Sequence, residues 1–162
     1  MKVAIVIGSK SDFETVKPAV EYLKNFGIDY ALRVISAHRC PNELHAFMKE
    51  AEKAGCEVYI GAAGKAAHLA GVIAGYTALP VIAIPISTSF MGGLDSLLSM
   101  VQMPAGVPVA TVAVNGAANA AILAAQILSV KYPELRKKLI TFKDDMRLKV
   151  ISDDEALQKE IN

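Results

Sequence analysis

The sequence predicts an α/β fold: a doubly wound parallel sheet sandwiched between helices, three layers in all. Short Val/Ile-rich runs alternate with longer segments whose apolar residues recur at helical spacing. Several of those short runs are unbroken rather than alternating, which is the pattern of strands covered on both faces. Strand–helix alternation of this kind joins parallel neighbours by crossover helices. At 162 residues, with no internal repeat or low-complexity linker, the chain suits one domain.

The elements follow in the order βαβαβαβαβα, then a charged C-terminal helix. Strands are expected at 2–8 (KVAIVIG), 29–35 (DYALRVI), 57–62 (EVYIGA), 80–86 (PVIAIPI) and 107–114 (VPVATVAV). A helix over 12–26 carries Phe13, Val16, Val20 and Leu23 on one stripe, with Gly27 as its stop. The next, over 41–54, opens on Pro41, places Leu44, Phe47, Met48 and Ala51 inward and ends at Gly55. A third is expected over 65–76 and a short fourth over 95–102, after Gly92 and Gly93, with Asp95 as its N-cap. The fifth, 117–129, is almost wholly alanine and aliphatic. The last starts at Pro133 and sets Leu135, Leu139, Phe142, Met146 and Val150 on one side. We expect residues 1–130 to form the catalytic α/β unit and 131–162 a helical extension of it.

Charge is distributed unevenly. The net charge of +1 gives no electrostatic case for nucleic acid or membrane binding. Between Ala66 and Val130 the sole charged side chain is Asp95. A surface normally carries many charges, so this segment reads as core plus a large interface between subunits. A membrane span over 66–86 is broken by Thr77, Pro80 and Pro85. The apolar run after Met1 is too short for a signal peptide and reads as the first strand. Cys40 and Cys56 form no disulfide framework and suit a reduced, cytoplasmic compartment. No spacing of His, Cys and carboxylates suggests a metal, and no motif calls for a cofactor.

Chemistry-bearing residues collect in loops that follow strands. The stretch GSKSDFE (8–14) lacks the GK[ST] ending of a phosphate-binding P-loop and the three glycines of a dinucleotide fingerprint. Ser11 with Glu14 reads as a capping box, and Asp12 suits a first helical turn. That leaves Ser9 unexplained. SAHRCP (36–41) and GAAGKAAHLAG (61–71) follow the second and third strands. In a flavodoxin-like strand order, 2-1-3-4-5, the three loops meet at the carboxyl edge where ligands bind. They would unite Ser9, Ser11, Asp12, Ser36, His38, Arg39, Lys65 and His68. Arg39 offers a rigid donor fork for phosphate, Lys65 at a helix start calls for an anion, and Asp12 is an acceptor for sugar hydroxyls. A sugar phosphate whose reacting group exchanges a proton fits this set. His45, inside a helix with polar neighbours, reads as a surface residue. His38 could be structural or catalytic, and so could His68.

The motifs GSKSD, SAHR, AAHL and GLDSLLSMVQMPAGVPVATVAV…NAAILAAQIL, in this order over about residues 2–130, resemble the bacterial N5-carboxyaminoimidazole ribonucleotide mutases of purine biosynthesis. The resemblance implies a three-layer flavodoxin-like fold, a homo-octamer, no cofactor and no metal. It implies transfer of a carboxylate from the exocyclic nitrogen of the ribonucleotide to ring carbon C4, by loss and recapture of CO2. It matches Ser9, Asp12 and Arg39 to ribose and phosphate binding, with Ser11, Ser36, Gly64 and Lys65 beside them. His38 matches the general acid/base and His68 a second histidine near the CO2 pocket. An imidazole titrates near 6.5 and can take and return a proton at neutral pH. Closing the pocket would retain the CO2.

This chain also departs from the family pattern. GKAAHLAG replaces the usual GGAAHLPG, so Lys65 stands for glycine and Ala70 for proline. Phe13 and Cys40 stand where tryptophan and threonine are common. Related carboxylases that use free CO2 carry a basic residue near position 65, but they lack the His68 equivalent and the DSLLS…VQMP pattern. That balance favours the mutase over the direct carboxylase. A non-catalytic nucleotide-binding module would keep Ser9, Asp12 and Arg39 but has no need of two histidines.

Overall fold

The computed structural model describes residues 1–161; Asn162, the end of the expected extension, lies outside the described residues. Five parallel strands form one sheet: β1 (Lys2–Ile7), β2 (Asp29–Val34), β3 (Val58–Ala63), β4 (Val81–Pro85) and β5 (Ala110–Thr111), in the order β2-β1-β3-β4-β5. The helices are α1 (Phe13–Phe26), α2 (Pro41–Lys53), α3 (Leu69–Tyr76), α4 (Leu94–Val101), α5 (Ala117–Leu128) and α6 (Pro133–Ile161), with 3-10 turns at Lys10–Asp12 and Met91–Gly93.

The unbroken apolar strands are divided between two cores. Val3, Ile5, Ile7, Ile60 and Ile84 face α1, α5 and the start of α6, whereas Ala4, Val6, Tyr59 and Ala83 face α2, α3 and α4. Alternate residues of each strand thus serve opposite layers, which is why polar residues are missing from both faces. Gly27 closes α1 in the left-handed region, at φ 73°, a conformation that costs glycine nothing.

Several elements differ from expectation. The fifth strand pairs over two residues instead of 107–114. Pro104, Gly106 and Pro108 interrupt its approach, and Pro108 has no N–H to give a ladder. The chain still tracks β4 afterwards, through Val112 N to Ala83 O at 3.1 Å and Asn115 N to Pro85 O at 2.8 Å. Helix α3 begins at Leu69 rather than at residue 65, because Lys65 holds φ 59° and tight turns occupy 65–68. Lys65 is therefore not at a helix start. The capping box does not form: Ser9 accepts from Ser11 N, and Asp12 precedes α1 with no side-chain cap bond. Asp95 is not an N-cap but lies in the first turn of α4, where Thr88 Oγ1 donates to it at 2.7 Å. His45 is half-buried against the Tyr76 ring, 4.8 Å away, rather than free on the surface.

The charge-poor segment divides as well. Strand β4 and the inner faces of α3 and α5 are buried, while Tyr76, Phe90, Met91, Leu98 and Val101 stand exposed. On α6, Leu135 and Leu139 are buried and Phe142 packs edge-on against Tyr22 and Phe26, but Met146 and Val150 project into solvent. The core-facing stripe of α6 ends at Phe142.

Candidate active site

At the carboxyl edge of the sheet, the loops after β1, β2, β3 and β4 enclose a cavity of about 640 Å³. Its position is dictated by the strand order: the crossovers from β1 to β2 and from β1's other neighbour run in opposite directions, and the loops part between β1 and β3. Ser9, Ser11, Asp12, Ser36, His38, Arg39, Gly64 and Lys65 all line it.

The β1 loop is organised by hydroxyls. Ser9 Oγ and Ser11 Oγ lie 2.8 Å apart, and Ser11 Oγ donates to Asp12 Oδ1 at 3.3 Å. Burial raises the Asp12 carboxyl above its ordinary 3.8, and the hydrogen bonds from Ser11 and the Ser9 backbone offset only part of that. The loop after β2 is a turn in which Cys40 N donates to Ser36 O at 2.8 Å. From it Arg39 reaches across, its Nη2 donating to Gly8 O at 3.3 Å. A guanidinium is thereby fixed beside the serine hydroxyls and Asp12, a wall suited to a phosphorylated sugar.

His38 stands on the same turn, and its Nε2 is 3.0 Å from Nδ1 of His68 with the rings nearly perpendicular. His68 does not line the cavity. It supports His38 from the turn preceding α3. Gly64 fits closely where it stands: a Cβ there would come within 3.3 Å of Thr88 Cγ2, so that side chain would have to shift. Lys65 follows it in the left-handed region, which costs a residue with a Cβ about 1–2 kcal/mol.

A fourth wall escaped sequence reasoning. Ser87, Thr88 and Ser89, after β4, also line the cavity. Ser87 N donates to Asn115 Oδ1 at 2.9 Å, and the buried Ser96 hydroxyl donates to Ile86 O at 2.7 Å, so this loop is pinned from behind. The signal was present: three consecutive hydroxyl residues directly follow the fourth strand. Among the described residues, no group of three or more His, Cys, Asp or Glu is placed to hold a metal ion. No helix among them is long and apolar enough to cross a membrane.

The fold and this loop cluster define an α/β protein with a polar cavity at the sheet's switch point. Sequence comparison makes the class specific. Residues 2–149 match the family described as AIR carboxylase, and the chain belongs to that family. The N5-carboxyaminoimidazole ribonucleotide mutase of Saccharolobus solfataricus is 58% identical over 151 residues, 93% of this chain and 96% of that protein. The mutase of Thermotoga maritima is 51% identical over 158 residues, 98% of this chain and 92% of that protein. The crystal structure of Treponema denticola PurE superposes with a TM-score of 0.89 at 33% identity, covering 96% of this chain and 98% of that one.

Proposed function

We propose that this chain is an isomerase of purine biosynthesis, an N5-carboxyaminoimidazole ribonucleotide mutase. The observation that carries the reading is the His38–His68 pair at a cavity that also presents hydroxyls, Asp12 and Arg39. The names and high coverage of the relatives support the same activity.

In this reading Arg39 with Ser9, Ser11 and Ser36 holds the phosphate, and Asp12 accepts hydrogen bonds from the ribose hydroxyls. The carbamate N–C bond breaks, its electron pair stays on nitrogen, and CO2 is released into the cavity. Nitrogen gains a proton, C4 attacks CO2 to form the new C–C bond, and C4 gives up its proton. One proton is supplied and one recovered, so the balance closes with a single acid/base, with no oxidant or reductant. His38 fills that role, and His68 orients it by the shared hydrogen bond. The side chains of the β4 loop help to exclude water, which protects the carbamate and retains the CO2.

The same reading includes assembly of several copies, an octamer on the family resemblance. The exposed Phe90, Met91, Leu98 and Val101, in a segment with one charge, support it.

The test gives purified protein either N5-carboxyaminoimidazole ribonucleotide without bicarbonate or aminoimidazole ribonucleotide with it, and follows product absorbance. Conversion of the first substrate with no added bicarbonate is the expected result. Product formed solely from the second would assign direct carboxylation instead. Binding of both with no product would leave a nucleotide-binding module.

A further inference from the structure

We infer that Lys65 holds the substrate's carboxylate and so makes this chain discriminate carboxylated from uncarboxylated nucleotide. The assignment rests on the mutase reading above and deepens it. Three observations converge on the residue. Lys65 lines the cavity. Among the described residues its ammonium has no hydrogen-bond or ion-pair partner, so its charge is uncommitted. Its backbone holds φ 59°, a conformation that favours glycine, and a side chain with a Cβ is retained there despite the steric cost.

The chemistry of the ligand supplies the complement. A nucleotide monophosphate bearing a carboxylate presents two anionic groups to a cavity lined by two permanent cations. Arg39 is tethered to Gly8 O on the wall that carries Ser9, Ser11 and Asp12, which assigns its planar fork to the phosphate. Lys65 stands on the loop after β3, three residues before His68. Ala67 N donates to Lys65 O at 2.8 Å and His68 N to Ala66 O at 2.9 Å, so the tight turn fixes Lys65 relative to the imidazole pair. An ammonium on a flexible stem has three rotatable donors and no preferred plane. It can stay with a carboxylate that moves from nitrogen to C4, where a guanidinium fork would favour one of the two positions. Lys65 is thus a specificity-determining residue for the carboxylated ligands.

Calorimetric binding of two ligands tests this: the C4-carboxylated product nucleotide and aminoimidazole ribonucleotide, which lacks the carboxylate. The variants are Lys65→Gly, which suits the left-handed backbone and so preserves the fold, Lys65→Met, which keeps the chain length, and Lys65→Arg, which keeps the charge. We expect Lys65→Gly and Lys65→Met to weaken the carboxylated ligand roughly tenfold or more, with aminoimidazole ribonucleotide changed less than about twofold. Lys65→Arg should retain most of the preference, and added salt should narrow the gap between wild type and Lys65→Gly. Equal losses for both ligands, or no loss for either, would overturn the assignment. Binding of neither nucleotide by the wild type would overturn the mutase reading, and the Lys65 assignment with it.

Discussion

His38 Nε2 and His68 Nδ1 lie 3.0 Å apart with their rings at 86°. The two nitrogens share one hydrogen bond, in which one ring donates and the other accepts according to tautomer. On the proposed assignment, His38→Asn removes the acid/base while leaving Ser9, Ser11, Asp12 and Arg39 in place. Turnover is expected to fall about 10²–10⁴-fold with KM little changed. A folded His38→Asn variant with near-normal kcat would rule out the role given to His38.

The proposed bonds from ribose hydroxyls to Asp12 would link binding to acidity. Burial holds its carboxyl above 3.8, despite the opposing hydrogen bonds. An ionised carboxylate accepts hydroxyl hydrogen bonds more strongly than a protonated one. Nucleotide affinity should therefore fall on acidification at a pH above 3.8, and Asp12→Asn should flatten that limb in a binding titration. The folded state holds this proton more tightly than the unfolded one, so Asp12 costs stability at neutral pH. The cost disappears as the pH falls through the raised value. Asp12→Asn should accordingly melt slightly higher at pH 7 while binding less well.

Glu57 behaves in the opposite sense. Burial alone would raise its carboxyl, but hydrogen bonds from Lys131 and Tyr132, the latter 2.8 Å long, outweigh burial and hold it below 4.5. Its contribution to stability is present above 4.5 and is lost as the pH falls through the lowered value. Thermal melts of Glu57→Gln should show a loss of about 1 kcal/mol at pH 7, because the Tyr132 hydroxyl then donates to a neutral amide oxygen instead of a carboxylate, converging with wild type in acid. A gap that persisted at low pH would place the effect outside this ionisation.

The exposed apolar residues Phe90, Met91, Leu98 and Val101 bear on assembly. Light scattering should give a mass several times the 17.2 kDa of one chain. Leu98→Glu with Val101→Glu, both on the outer face of α4, should lower it. A single-chain mass for the wild type at micromolar concentration would contradict the interface reading.

The sheet order and five of the helices were legible because their signals are local and redundant. Apolar runs mark the buried strands, Gly27 and Gly55 mark stops, and Pro41 and Pro133 mark starts. Seven of the eight residues gathered from the three loops line the cavity, because strand-end loops in this topology converge; Gly64 came with the family resemblance, and His68 bonds to His38 instead. The failures share a cause. Whether 65–68 is helix or turn depends on the φ of Lys65, which no propensity reveals, since lysine is a good helix former. The short β5 reflects its place at the sheet edge, where pairing on one side cannot overcome two prolines. The Ser87–Ser89 wall was visible as composition, but β4 lies one strand beyond the switch point, and nothing in the local sequence shows its loop folding back over the cavity.

Helix α6 is two mechanical objects sharing one axis. Up to Phe142 it is bolted to α1 through the aromatic contacts and through Lys138 Nζ, which donates to Phe26 O at 2.8 Å. From residue 143 to 161 every residue is exposed, a spar of roughly 28 Å at about 1.5 Å per residue. Its cohesion comes from short-range pairs such as Arg147 with Asp144 and Lys149 with Asp153, each modest in water. Amide deuterium uptake on a dilute, dissociated chain should be slow before Phe142 and fast after it, with the boundary falling inside one continuous helix. Slow uptake along the whole spar in the assembled protein would mean that neighbouring subunits finish what one chain leaves open, and that the spar folds firmly only in company.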